Sequence, residues 1–195
     1  MRKLLLGLAM TAAFSVPAFA ALKVGDTAPD FTATASLAGK DFTFNLDKAL
    51  KKGPVVVYFY PSAYTQGCDL EAHTFAENKE KFDAAGASII GVSADNLQRL
   101  NQFSADPNFC AGKFPIASDE SLKIAKSYDL HTTPARAGAK DVRGVEIGHG
   151  FIERVTFVVG KNHKIVAVMS SKADKLSPDQ HVDKSLAIVR KMAAK

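Results

Sequence analysis

The run GPVVVYFYP at residues 53–61 constrains the fold more than any other stretch of the chain. Val55 to Tyr60 are β-branched or aromatic without a polar break, and glycine and prolines bound them. That is the pattern of a strand buried on both faces. A polar turn follows, and then a stretch of helical periodicity that opens near Cys68. Cys68, Ala72, Phe75, Phe82 and Ala85 fall near one helical face, with Glu71, Lys79, Glu80 and Asp83 at its edges or opposite.

The rest of the chain repeats this alternation. Leu22 to Phe44 reads as extended, and ASIIGVSAD is a second buried strand. Asp95 is placed to cap a helix through NLQRLNQF, and FPIASDESLKIAKSYDL predicts a short strand and a helix capped by Asp119. RVTFVV and KIVAVMSS, joined by GKNHK, suit a hairpin. Ser177, Pro178 and Gln180 make a capping box with proline at the first helical position, and Val182, Leu186, Val189 and Met192 form one apolar face. Alternating strands and helices predict an α/β fold with a central mixed sheet flanked by helices. His131 to Gly150, with Pro134 and four glycines, is expected to be a long surface loop.

Residues 1–20, MRKLLLGLAMTAAFSVPAFA, combine Arg2 and Lys3, an apolar stretch and an A-x-A site at Ala18 to Ala20, the layout of a cleaved signal peptide. An uncleaved anchor is the alternative, but Thr11, Ser15 and Pro17 interrupt a run already short for a span. The reading is therefore an exported, periplasmic protein, soluble once the leader is removed, with residues 21–195 as a single domain. The 23 basic and 20 acidic residues outside the leader leave a net charge of about +3, too slight and too evenly spread to argue for nucleic acid. The five histidines show no ligand spacing and no acidic cluster joins them, so no metal is expected. Two cysteines, Cys68 and Cys110, in an oxidising compartment raise the question of a disulfide, structural or catalytic.

Cys68 stands where the first turn of a helix would lower a thiol's pKa through unpaired backbone N–H groups. Pro61 can shape and shield a pocket, Thr65 offers a hydroxyl that donates and accepts, and Glu71 can orient a cation one turn along. Singly these are a strand breaker, a cap and a solvated helix charge. Together PSAYTQGC fits PxxxTxxC, and the sequence here resembles the peroxiredoxins, from about Gly25 to Met169. The order of GVSADNLQRLNQF, FPIASDESLKIAKSYDL and RVTFVVGKNHKI also follows that family, closest to its Q-type or bacterioferritin comigratory protein branch.

The resemblance implies a thioredoxin-like fold and a thiol-dependent peroxidase that works by cysteine alone, without haem, flavin or metal. It makes Cys68 the peroxidatic cysteine, oxidised by a hydroperoxide to a sulfenic acid, and gives Arg154, just before TFVV, the place of the family's arginine. It implies a resolving thiol and an external reductant, here thioredoxin-like or another exported thiol protein. Many Q-type members carry the resolver five residues after the first cysteine, where this chain has His73, and others carry it on the following helix, near the place of Cys110. Cys110 can also be a buried inert thiol or half of a permanent bridge. Q-type relatives are often monomers and some dimerise, so the resemblance implies a monomer or homodimer. Two further readings compete: a peroxide-sensing or thiol-disulfide relay protein passing oxidation to a partner, and a disulfide oxidoreductase, which expects a CxxC that this chain lacks.

Overall fold

The computed structural model describes residues 21–194, so the leader assigned to residues 1–20 lies outside the described residues. The extended start becomes strand only from Thr32, as a hairpin of β1 (Thr32–Leu37) and β2 (Lys40–Asn45). Its turn residues Ala38 and Gly39 are both left-handed, at φ 52° and 76°, the backbone that lets a two-residue turn follow the strands' twist. There follow α1 (Leu46–Leu50), β3 (Val55–Phe59), α2 (Gln66–Ala84), β4 (Ser88–Ser93), α3 (Leu97–Ala105), β5 (Ile116–Ser118) and α4 (Lys123–Ser127). The short strands β6 (Thr132–Thr133) and β7 (Phe151–Ile152) precede β8 (Val155–Val159), β9 (Ile165–Ser170) and α5 (Pro178–Ala193).

Seven strands form one mixed sheet in the order β2-β1-β5-β4-β3-β8-β9. β3 pairs parallel with β4 and antiparallel with β8, which places it at the centre. Every residue of β3 is buried. Its side chains alternate between two cores: Val55, Val57 and Phe59 face one, and Val56, Tyr58 and Tyr60 the other. α1 and α4 cover the first core with Leu46, Leu50 and Ala125. α2, α3 and α5 cover the second with Phe75, Phe82, Leu100, Phe103, Val182 and Val189. This is the layered α/β arrangement that an uninterrupted apolar strand demands. Among the described residues no helix is long and apolar enough to cross a membrane.

Three local expectations change. Asn96, not Asp95, caps α3, its side chain accepting from Arg99 N at 2.9 Å. Asp95 is fully buried one residue earlier. Asp119 does accept from the N–H groups of Ile124 and Ala125, at 3.2 and 2.8 Å, but it reaches them past a left-handed Leu122 at φ 58°. The 131–150 segment is the mostly exposed surface loop expected, and what changes is its order: β6 and β7 pair across its base, Ile147 N bonds Ala139 O at 2.8 Å, and Asp141 is buried. The β8–β9 hairpin and the α5 capping box form as the sequence predicts.

Candidate active site

β3 runs out at Phe59, and the turn from Pro61 to Thr65 redirects the chain into α2. Thr65 takes extended backbone at the N-cap position, but its hydroxyl donates to Ser62 O at 2.8 Å instead of capping the helix. Cys68 lies in the first turn of α2 and is 2% exposed. The β3–β8 register brings it a partner. Val155 sits opposite Phe59, so Arg154, one residue earlier, emerges at the same end of the sheet as the Cys68 turn. Its Nη2 donates to Cys68 Sγ at 3.1 Å, and its Nη1 pairs with Glu71 Oε2. Gly67 makes room: a Cβ there would lie 3.2 Å from Arg154 Nη2 and 3.4 Å from Pro178 Cγ at the start of α5. Pro61, half-buried, opens the turn between β3 and α2.

Glu71 is not the solvated helix charge its residue type suggests; it is fully buried. Burial pushes its carboxyl up to about 7 against the pull of Arg154. Its Oε1 has no hydrogen-bond partner and lies 4.0 Å from Nδ1 of the buried His181. Thr156 Oγ1 and Ser171 Oγ hold the two ring nitrogens of His181 at 2.9 and 3.0 Å. Burial and the Arg154 charge bring that imidazole down to about 4, so it is neutral. The Cys68 thiol also feels burial first, which raises it. Arg154, the Thr65 hydroxyl and the Ser62 backbone pull it down, and Glu71 raises it again. The net direction is upward, against the expectation that the helix turn alone would acidify it.

Sequence reasoning missed the group that fixes the turn. Asp95 Oδ2 accepts from Ala63 N at 2.8 Å and Ser93 Oγ at 2.7 Å, and its Oδ1 accepts from Ser62 Oγ at 2.8 Å. Arg99 Nε and His149 Nε2 lie 2.9 and 2.7 Å from the same Oδ1. Arg99 Nη2 donates to Ala63 O and pairs with Asp141, which also pairs with Arg143. Val142 N donates to Tyr64 O at 2.9 Å, and the Arg143 guanidinium lies 3.3 Å from the centroid of the Tyr64 ring. These partners lie from 32 residues (Ala63 to Asp95) to 87 residues (Ser62 to His149) away in the chain, and no local pattern joins them to PxxxTxxC.

Cys110 is fully buried and both thiols are free. The two cysteines belong to the same apolar cluster, together with Tyr58 and Tyr60. Burial raises the Cys110 thiol well above its ordinary range, with Asp106 and Asp69 adding to the effect. His73, on α2, hydrogen-bonds Asn108 O through Nδ1 at 2.9 Å and so ties the turn carrying Cys110 to the helix carrying Cys68. Among the described residues no group of three or more His, Cys, Asp or Glu side chains is placed to hold a metal ion.

A family model described as the AhpC/TSA family matches residues 24–168. A chloroplastic peroxiredoxin Q of Populus jackii is 32% identical over 174 residues, 89% of this chain and 71% of its own. The solved structure of peroxidoxin BcpB from Mycobacterium tuberculosis is similar with a TM-score of 0.71 at 29% identity, covering 87% of this chain and 97% of that one. Bacterioferritin comigratory protein of Xanthomonas campestris is similar with a TM-score of 0.64 at 27% identity, over 84% and 92% of the two chains.

Proposed function

This chain belongs to the AhpC/TSA family and is a thiol-dependent peroxidase of the peroxiredoxin Q type, and on that premise we propose that Cys68 is its peroxidatic cysteine and Cys110 its resolving cysteine. The observation that carries the reading is the Arg154 guanidinium donating to Cys68 Sγ in a buried helix turn. The Cys68 thiolate attacks one peroxide oxygen and the O–O bond breaks. The sulfur becomes a sulfenic acid, and the leaving oxygen takes a proton to depart as water or an alcohol. Negative charge spreads from sulfur to that leaving oxygen, and a fixed guanidinium with a fork of donors stabilises both ends. Thr65 stands one turn before the sulfur with its hydroxyl already hydrogen-bonded, and Pro61 begins that turn without an N–H that would compete for the peroxide.

Glu71 governs how much of the arginine's charge reaches the sulfur. With its carboxyl titrating near 7, the protonated form leaves Arg154 undivided for the thiolate, and the ionised form shares it. In the second step the Cys110 thiol attacks the sulfenic sulfur, expelling water and forming a disulfide. A disulfide needs Cα atoms within about 7 Å, and both thiols are buried, so the reading includes local unwinding at the start of α2 that frees the Cys68 sulfur to meet Cys110. An external dithiol then reduces the bridge and is itself oxidised. The signal-peptide layout of residues 1–20 supports a cycle outside the cytosol, with an exported thioredoxin-like protein as reductant.

The test is a quench-flow reaction of the reduced protein with one equivalent of hydrogen peroxide, read by intact mass and peptide mapping. Cys68 is expected to react orders of magnitude faster than free cysteine and to appear in a Cys68–Cys110 disulfide. Cys68→Ser abolishes peroxide consumption, and turnover retained in that variant sinks the assignment. Cys110→Ser reacts once and accumulates sulfenic or sulfinic acid at Cys68; unchanged multiple turnover with a dithiol removes Cys110 from the cycle.

A further inference from the structure

His149 lies outside the reacting group, in a segment the sequence marks only as irregular. Its two ring nitrogens both face hydrogen-bond acceptors: Nδ1 is 2.7 Å from Gly150 O, and Nε2 is 2.7 Å from Asp95 Oδ1. Ser62 Oγ, 3.4 Å from Nε2, already donates its proton to Asp95. A neutral imidazole carries one N–H and leaves one of these acceptors facing a lone pair, whereas the imidazolium satisfies both. The charged groups around it pull in both directions: Asp95 favours the imidazolium and the Arg99 cation opposes it, with the net direction upward. The Asp95 carboxylate faces the ring from the end of β4 and Arg99 from α3, while Asp141 and Arg143 stand behind Arg99 in the ring's own segment.

Asp95 is also the residue that holds Ser62 and Ala63, the turn that delivers Cys68. We propose that His149 is a positioning residue whose imidazolium, bridging Gly150 O and Asp95, clasps the Cys68 turn shut, and whose deprotonation releases that turn toward the open form in which Cys68 can reach Cys110. The open and closed forms are those of the peroxidase cycle proposed above, on which this inference rests. Burial works against the charged ring, but the hydrogen bond and charge of Asp95 outweigh it and raise His149 above the usual imidazole value of 6.5. A raised value means the clasp is complete below about pH 6.5 and is lost as the pH climbs through the folded-state value. A cleft of about 350 Å³ between α3 and the 145–149 stretch reaches His149, so protons have a route to it.

Hydrogen exchange tests the clasp without relying on the chemistry. In the wild type, protection of the Ala63–Cys68 amides, corrected for intrinsic exchange, is expected to fall about tenfold or more as pH rises from slightly acid to slightly alkaline, the size of a charge-assisted hydrogen bond. In His149→Gln, which keeps one donor and no charge, and in His149→Lys, which stays charged throughout this pH window, protection is expected to be flat. Parallel pH dependence in wild type and both variants overturns the proposal. So does a nitrogen-15 spectrum of the wild-type ring showing a single protonated nitrogen at or below pH 6.5. In slightly acid solution His149→Gln is also expected to slow Cys68 oxidation and speed disulfide formation several-fold, and equal rates in both steps overturn the gating role. If Cys68 reacts slowly in every variant while the exchange difference persists, the clasp stands and the peroxidase assignment falls.

Discussion

At Cys68 burial and charge pull in opposite directions, and Arg154 and Glu71 set the charge side of that balance. Burial raises the thiol, Arg154 lowers it, and Glu71 takes back part of the arginine's effect. Two substitutions separate these forces. Arg154→Met removes the lowering charge and the donor, so the pH profile of Cys68 alkylation is expected to shift to the alkaline side. The peroxide step is expected to slow by about two to three orders of magnitude, the usual cost of deleting one preorganised donor. Glu71→Gln removes the competing carboxylate while keeping a side chain of the same shape, so the alkylation profile is expected to move to the acid side. An unmoved profile in both variants means that burial alone sets the thiol. Glu71 also marks a limit of sequence reading at this scale. A carboxylate three residues after Cys68 reads as a helix edge, and only the arrival of Arg154 from β8, 83 residues on, makes burying it tolerable.

The first turn of α2 is where element geometry becomes chemistry. Gly67 is a poor helix residue, costing about 1 kcal/mol relative to alanine. Its compensation is the approach of Arg154 and of Pro178 at the head of α5. Gly67→Ala is therefore expected to leave thermal stability unchanged or raised while slowing the reaction of Cys68 with peroxide, because the new methyl displaces the guanidinium. Loss of stability and of reactivity in proportion would mean that the glycine serves packing rather than the site. Elements of this kind were legible wherever one segment carries its own signal: the apolar run of β3, the helical period of α2, the α5 capping box and PxxxTxxC. What stayed hidden is assembled from distant segments. Asp95 reads as a helix cap because it follows a strand and precedes an amphipathic run, yet Asn96 takes that place and frees Asp95 to bind the Cys68 turn. The 131–150 segment reads as loose because its glycines and proline break every period, while its order comes from Asp141, Val142 and His149 docking onto that turn.

Across the whole molecule, the polar chain Cys68–Arg154–Glu71–His181 runs from α2 to α5 through a mostly apolar core, and its titration bears on stability. His181 is brought down to about 4 in the folded state from an ordinary 6.5. Between those values the unfolded chain binds a proton that the folded chain does not, so this residue's contribution falls as the pH falls, by on the order of 3 kcal/mol across the window. Glu71 acts in the opposite sense. Raised to about 7 from 4.5, it holds a proton in the folded state that the unfolded chain has released, so its contribution is complete below the lower value and is lost as the pH rises through the higher one. Urea unfolding followed by circular dichroism from about pH 4 to about pH 7 separates the two. His181→Gln is expected to gain stability relative to wild type as the pH falls, and Glu71→Gln to gain it as the pH rises. Each substitution also shifts stability by a constant through the hydrogen bonds it changes, so the slope against pH is the quantity that answers. Opposite slopes mean that the fold holds His181 neutral and Glu71 protonated, each by its own burial beside Arg154. Slopes of one sign would show that at least one of the two is not shifted in that direction, and only a departure from additivity in the double variant would join them as partners across the guanidinium.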